Sequence, residues 1–115
     1  MRSPKDDMEE ELVKAITRGL NRSLILWLLS KGSRSGYTIV KELRNLTDLS
    51  LHPGNIYPIL YDMEAKGFIT GDWVAKGRRR IKYYSITEEG RKLLDRLKKL
   101  FKMPIGEVLR DLLAE

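Results

Sequence analysis

Between Lys76 and Tyr84 the chain reads KGRRRIKYY, five cations and two tyrosines in nine positions with no acid among them. Guanidinium forks grip phosphate oxygens through paired hydrogen bonds, and ammonium groups add compact charge. The chemistry on offer is recognition of a polyanion. Two plainer readings exist, a solvated charge run or the disordered arm of a targeting signal, and the flanks decide. Phe68 to Ala75 and Ile81 to Ile86 are rich in β-formers, and Gly77 supplies the positive φ that a tight connection often needs. The basic run is expected at the tip of a β-hairpin, with Lys76, Arg78, Arg79, Arg80 and Lys82 placed to meet phosphates.

Bond chemistry finds no footing elsewhere. The chain has no HExxH, GxxxxGKS/T or GxSxG arrangement, and no cysteine to act as nucleophile or thiolate ligand. Its single histidine, His52, cannot build a metal cluster from scattered carboxylates and is read as a helix-start residue or a contact to a polyanion's backbone. No catalytic residue, metal ligand or cofactor is expected.

Net charge is +6, and its distribution narrows the partner. Lys76 to Lys102 holds eleven Lys or Arg against Glu88, Glu89 and Asp95, an excess of eight positive charges, so the rest of the chain sums to −2. A neutral-to-acidic body carrying one basic region is the footprint expected of a polyanion binder. A membrane partner is not expected, because the helical stretches lack aromatic anchors on a basic face. The longest apolar run, Leu24 to Leu29, is six residues, far too short to span a bilayer. The N-terminal MRSPKDDMEEEL turns acidic at once and fits neither a signal nor a transit peptide, and the absence of cysteine suits a reducing cytosol. A cytoplasmic location is expected.

The elements that must hold the basic run can be read upstream and downstream. At 115 residues the chain is one domain, able to bury a core without staples. Asp6 or Asp7 is expected to cap a first helix with Met8, Leu12, Val13, Ile16 and Leu20 as its stripe. Asn21 would begin a second, buried on most sides and stopped by Gly32. Ser35 and Gly36 open a third, with Ile39, Val40, Leu43 and Leu46 on one face. TDLSLHPG reads as a turn with one or two extended residues. A fourth helix, 53–66, begins at Pro53 or Gly54 and places Ile56, Ile59, Leu60 and Met63 inwards at i, i+3, i+4 and i+7. Asn55, Tyr61 and Asp62 are then turned outwards. Pro58 must lie near the first turn or bend the axis. Thr87, Glu88 and Glu89 start a fifth helix with apolar Leu93, Leu94, Leu97, Leu100 and Phe101, and Pro104 breaks or kinks it. A last amphipathic piece carries Ile105, Val108, Leu109, Leu112 and Leu113.

Helices followed by a hairpin in this order make a winged helix-turn-helix, in which the helix before the hairpin enters a DNA major groove and the hairpin is the wing. Asn55, in the first turn of that helix, has the amide that suits adenine N6 and N7. The segments SGYTIVKEL, GNIYPILYDMEAKGFI and GRRRIKYYSITEEGRKLL together resemble the PadR family of transcriptional regulators over about Leu24 to Leu94. The most specific pieces are Ile56-Tyr57-Pro58 with Gly67 ten residues after the tyrosine, and Tyr83-Tyr84-Ser85-Ile86-Thr87 leading to Gly90. Each alone is weak, and together in this order they are strong.

The resemblance implies a homodimeric repressor of double-stranded DNA whose terminal helices pack against those of a second subunit, with a small aromatic effector bound between them in some members. It places Tyr37 and Tyr57 near phosphates, Pro58 in the recognition helix, and Arg78 to Arg80 with Lys82 on the basic wing. Tyr61 and Asp62 depart from it, standing where many relatives carry basic residues. Asp62 would repel phosphate, though a carboxylate can accept from cytosine N4. Pro104 also departs, interrupting what is often one long helix.

The expected fold is mostly α with a small β-hairpin: an N-terminal dimer arm over 1–20, a winged helix-turn-helix domain over 21–87, and C-terminal dimerisation helices over 88–115. Leu12, Ile16, Leu97, Phe101, Leu109 and Leu112 are the expected seam, since the terminal helices add apolar faces that one small domain hardly needs. The stripe from Leu93 to Phe101 could instead cover the domain's own core. Tyr84 and Ile86 are read as core, Trp27 as packed, and Trp73 as core or a partly exposed wing residue. The alternative function is a winged-helix module making protein or RNA contacts within a larger assembly.

Overall fold

The computed structural model describes residues 1–47 and 53–114, so His52 and most of the turn TDLSLHPG lie outside the described residues. The first helix, α1, runs unbroken over Pro4–Ser30. Two helices meeting near Asn21 were expected, and the difference has a local cause. No residue between Gly19 and Leu24 forbids helical geometry, and a lone glycine costs only about 1 kcal/mol against alanine. The cap is Ser3, not Asp6 or Asp7. Its hydroxyl accepts from the Asp6 N–H, the Asp6 carboxylate accepts from the Ser3 N–H at 3.2 Å, and Pro4 fills the first helical position. Asp6 and Asp7 then sit in the first turn, where the helix dipole favours them.

A two-residue strand, β1 (Arg34–Ser35), follows, and α2 (Gly36–Thr47) starts beneath the Ser35 hydroxyl, which accepts from the Thr38 N–H at 3.2 Å. Ile39, Val40 and Leu43 of α2 are buried, but Leu46, expected with them, is exposed in the helix's last turn. Helix α3 (Pro53–Ala65) buries Ile56, Ile59, Leu60 and Met63 as the spacing predicts, and carries Pro58 in its second turn. It ends with Gly67 N–H donating to Glu64 O and Phe68 N–H to Met63 O, the paired closure of a Schellman turn.

Strands β2 (Ile69–Lys76) and β3 (Arg79–Ile86) form the hairpin, in register from Ile69↔Ile86 to Lys76↔Arg79. Gly77, at φ 62°, opens the two-residue connection, as a turn matched to the strand twist requires. The sheet has a third member that sequence reading missed: β1 pairs antiparallel with β3 through Arg34↔Tyr84 and Ser35↔Tyr83. Two residues are too few to show an alternating pattern.

Helix α4 (Glu88–Lys102) is capped by Thr87, whose hydroxyl accepts from Gly90 N–H and donates to Gly67 O at 2.7 Å. That second bond ties the start of α4 to the turn after α3. Pro104 ends the run, and α5 (Pro104–Ala114) turns away with no fully buried residue. The core is a single cluster between α1, α2, α3, α4 and the sheet, with Ile25, Leu26, Leu29, Ile39, Leu43, Leu60 and Tyr84 at its centre. Tyr84 is buried and Ile86 packs on the core's edge, as expected. Trp27 also packs there, with the Lys31 ammonium 4.1 Å above its ring. No described helix is long and apolar enough to cross a membrane.

Candidate nucleic-acid interface

The hairpin presents its cations on two faces. Register puts Gly71, Trp73 and Ala75 of β2 beside Tyr84, Lys82 and Arg80 of β3 on the face turned to α3. Asp72, Val74 and Lys76 share the other face with Tyr83, Ile81 and Arg79, where the Lys76 ammonium lies 5.1 Å from the Tyr83 ring. Arg78 is in the turn. Lys76, Arg78, Arg79 and Arg80 are all exposed. Trp73 is 58 % exposed and Arg80 stacks over it at 5.5 Å, so this tryptophan is a surface residue of the hairpin rather than core.

Between this face and α3 lies a cleft of about 350 Å³, lined by Tyr37, Tyr57, Tyr61, Trp73, Arg80 and Tyr84, with Lys82 in its wall. Tyr57 and Tyr61 stand one turn apart on α3, ring centroids 6.3 Å from each other. Tyr37, in the first turn of α2, is 72 % exposed, and Asn55, in the first turn of α3, is exposed as well. Six of the residues expected to meet a polyanion, Tyr37, Tyr57, Tyr61, Lys82, Arg79 and Arg80, therefore border one cleft.

Two residues are held otherwise than expected, Lys82 within the cleft wall and Asp62 off the cleft. Lys82 is drawn inwards: its ammonium donates to Glu64 Oε1 at 2.7 Å, with side-chain exposures of only 20 % and 28 %. The Glu64 carboxylate holds the Lys82 pKa above its ordinary value, against the opposing effect of partial burial, while burial pushes the Tyr84 phenol up. Asp62 was expected to face outwards beside Tyr61. It is instead half-buried and turned towards α1, bonded to Lys66 at 3.0 Å and within 3.6 Å of Arg22. The Lys66 bond lowers its pKa, opposed by desolvation, with Arg22 adding to the lowering. Asp62 is one hundred degrees of helix away from Tyr61, enough to take it off the cleft face.

A second cleft, of about 270 Å³, continues past Tyr37 and Tyr57 to Lys41, Arg44 and Asn45 on α2. Sequence reading missed these three. Tyr37, Lys41, Arg44 and Asn45 fall at i, i+4, i+7 and i+8, a polar face opposite Ile39 and Leu43, and that spacing was the available signal. A basic, tyrosine-bearing surface thus runs from α2 across α3 to the hairpin. Positive side chains and hydroxyls of this kind hydrogen-bond phosphate oxygens and fix register, while an exposed amide at a helix start can read base edges.

The expected seam residues divide. Leu12, Ile16, Phe101 and Leu112 are exposed and Leu109 is half-exposed, but Leu97 packs partly against the core beside Leu93.

Comparison with known proteins identifies the family to which this fold is similar. The transcriptional regulator PadR-like family matches residues 25–96. No curated protein matches the chain in sequence. Among solved structures, a PadR family transcription regulator from Clostridium difficile is 30% identical over 81% of this chain and 97% of that one, with a TM-score of 0.73. A PadR-like transcriptional regulator from Bacillus cereus is 26% identical, covering 88% and 98%, at a TM-score of 0.76. Bacillus subtilis PadR, solved in complex with operator DNA, is 32% identical over 70% of this chain and 45% of that longer one, at a TM-score of 0.63.

Proposed function

This chain belongs to the PadR-like family of transcriptional regulators, and on that premise we propose that it is a homodimeric repressor that reads duplex DNA with α3 and steadies itself on phosphates with its wing. It is a DNA-binding regulator, not an enzyme. The observation that carries the reading is the shared border of Tyr37, Tyr57 and Tyr61 with Arg79 and Arg80, one polyanion-binding surface built from three elements. The relative from Bacillus subtilis binds operator DNA, and the same fold here sets α3 beside the wing.

In this reading Asn55 and Tyr61 meet base edges. Tyr37, Tyr57, Lys76, Arg78, Arg79 and Arg80 hold the backbone, and Lys41 extends that grip along α2. Residues 21–87 form the DNA-binding unit, and 1–20 with 88–115 form the arms that pair two copies. A small aromatic effector would lie between those arms, among their exposed apolar side chains. A footprint on the DNA upstream of the protein's own gene tests the proposal. Protection of a two-fold pseudo-palindrome is expected. Weak binding without preference would favour a module of a larger assembly instead.

A further inference from the structure

We propose that the Glu64–Lys82 pair is a strut fixing the angle between wing and recognition helix, which makes Lys82 a positioning residue and not a phosphate ligand. The inference rests on the DNA-binding reading above, and it changes the role of one cation within it.

The geometry differs from that of an ordinary surface ion pair. Glu64 is in the last turn of α3 and Lys82 is midway along β3, so their 2.7 Å contact joins two elements. Exposed pairs contribute little because water screens them and their side chains lose entropy. Here both side chains are mostly covered. The Lys82 ammonium lies 5.5 Å from the Tyr61 ring centroid, 5.9 Å from Trp73 and 5.1 Å from Tyr84. One ring comes from each of α3, β2 and β3. A cation held among three rings and bonded to a carboxylate already has its charge partnered. A lysine meant for phosphate reaches into solvent, as Lys76 does.

Gly71 gives independent support. It sits opposite Tyr84 on the same sheet face, and a Cβ there would collide with Lys82 Cε and crowd Glu64 Oε2. The space the pair occupies exists only because residue 71 has no side chain. The strut also sits where the wing loses its other support. Ile69 is the last buried residue of β2, and from Asp72 to Lys76 the strand is exposed. From Lys82 to Arg78 is four residues, about 13 Å of strand at roughly 3.3 Å each. A tilt of about 10° at the strut would move the tip by about 2 Å, enough to break a hydrogen bond whose donor must lie within about 3.2 Å.

The test turns on a difference of sign. The full chain is titrated against a fluorescein-labelled, mixed-sequence duplex at low salt, where phosphate contacts dominate binding. If Lys82 were a phosphate ligand, Glu64→Met would free it, remove a nearby negative charge and tighten binding. As a strut, Glu64→Met weakens binding by roughly threefold to tenfold, the scale of one broken coupled contact. Gly71→Ala displaces only the flexible ends of Lys82 and Glu64, so it should weaken binding to a similar degree while the chain stays folded. The exchange of Glu64→Lys with Lys82→Glu should recover affinity relative to Lys82→Met. Equal or tighter binding by Glu64→Met overturns the strut. A readout without DNA separates this from the parent reading: in a Trp27→Phe background, Trp73 emission should shift in Glu64→Met and in Lys82→Met alike. A shift in both, with no duplex binding by the unmutated chain, would sink the DNA-binding reading and leave the strut standing. No shift in either overturns the strut.

Discussion

The three adjacent arginines occupy three different places, and that separates what each can do. Arg80 stacks on Trp73 over the cleft, Arg79, opposite Lys76 at the hairpin's end, borders the cleft's edge from the other face of the sheet, and Arg78 is in the turn. Each phosphate contact steepens the dependence of log K on log salt by roughly 0.9. Replacing all three with Ala should weaken binding on every sequence and flatten that slope by about one to three units per subunit. Arg80→Ala should account for the largest single share, and a salt series of anisotropy titrations measures both. An unchanged slope would return the triplet to a solvated charge run. Asn55 makes the complementary prediction. Asn55→Ala should cost about 1–3 kcal/mol on the preferred site and little on mixed-sequence DNA; equal loss on both, in competition titrations, would make it a positioning contact. These exposed side chains were legible because type and local spacing suffice to place them. Lys82 was not, because its partner Glu64 comes from another element; for Asp62 the i,i+4 partner Lys66 was visible, but the approach to Arg22 of α1 that turns it off the cleft face was not. The raised Lys82 pKa also fixes a pH window. Its stabilising contribution is complete below the ordinary value of 10.5 and is lost only as pH rises through the higher folded value, so the strut persists across the neutral range.

At the scale of elements, the reading succeeded where a periodic apolar face met a clear stop. Helix α3 buries the four residues its spacing named, and α4 begins at Thr87 and ends before Pro104. It failed where the signal was short or a break was assumed. Strand β1 spans two residues, and α1 passes through Asn21 although that position looked like a start. Asn21 is itself buried, with its side-chain oxygen unpartnered among the described residues. The junction of elements that matters most for the fold is the close approach of α4 to the turn after α3. A Cβ on Gly90 would collide with the Phe68 carbonyl oxygen, a backbone atom that cannot swing aside. Gly90→Ala should therefore destabilise the domain by about 1–3 kcal/mol, the range for overpacking a tight site. Urea denaturation measures it. A change below about 0.5 kcal/mol, the size expected at an ordinary surface position, would show that α4 is free to shift.

The whole molecule is larger than its chain length needs. Its radius of gyration is 16.4 Å, against about 13 Å for a compact domain of this size. The excess lies in the arms. Residues 4–20 of α1 extend for about 25 Å at 1.5 Å per residue, without a buried side chain among them, yet expose Met8, Leu12, Val13, Ile16 and Leu20. Helix α5 exposes Ile105, Val108, Leu112 and Leu113. A helix of that length with no packed face is marginal in water, and apolar stripes left open mark association surfaces. Burying them against a second copy would set two recognition helices on one side, with half-sites about 10 base pairs apart or a multiple of it on straight DNA. The structure also decides where to test this. Leu97 shares the domain's own core, so a charge there would confuse unfolding with dissociation. Ile16 and Leu112 are 55 % and 62 % exposed, and neither packs on that core. Ile16→Glu with Leu112→Glu should give a folded monomer by light scattering at micromolar concentration, its operator affinity lower by orders of magnitude, because a single helix reads too few base pairs to find one site. A monomeric unmutated chain that binds a lone half-site tightly would show that the arms serve something other than pairing.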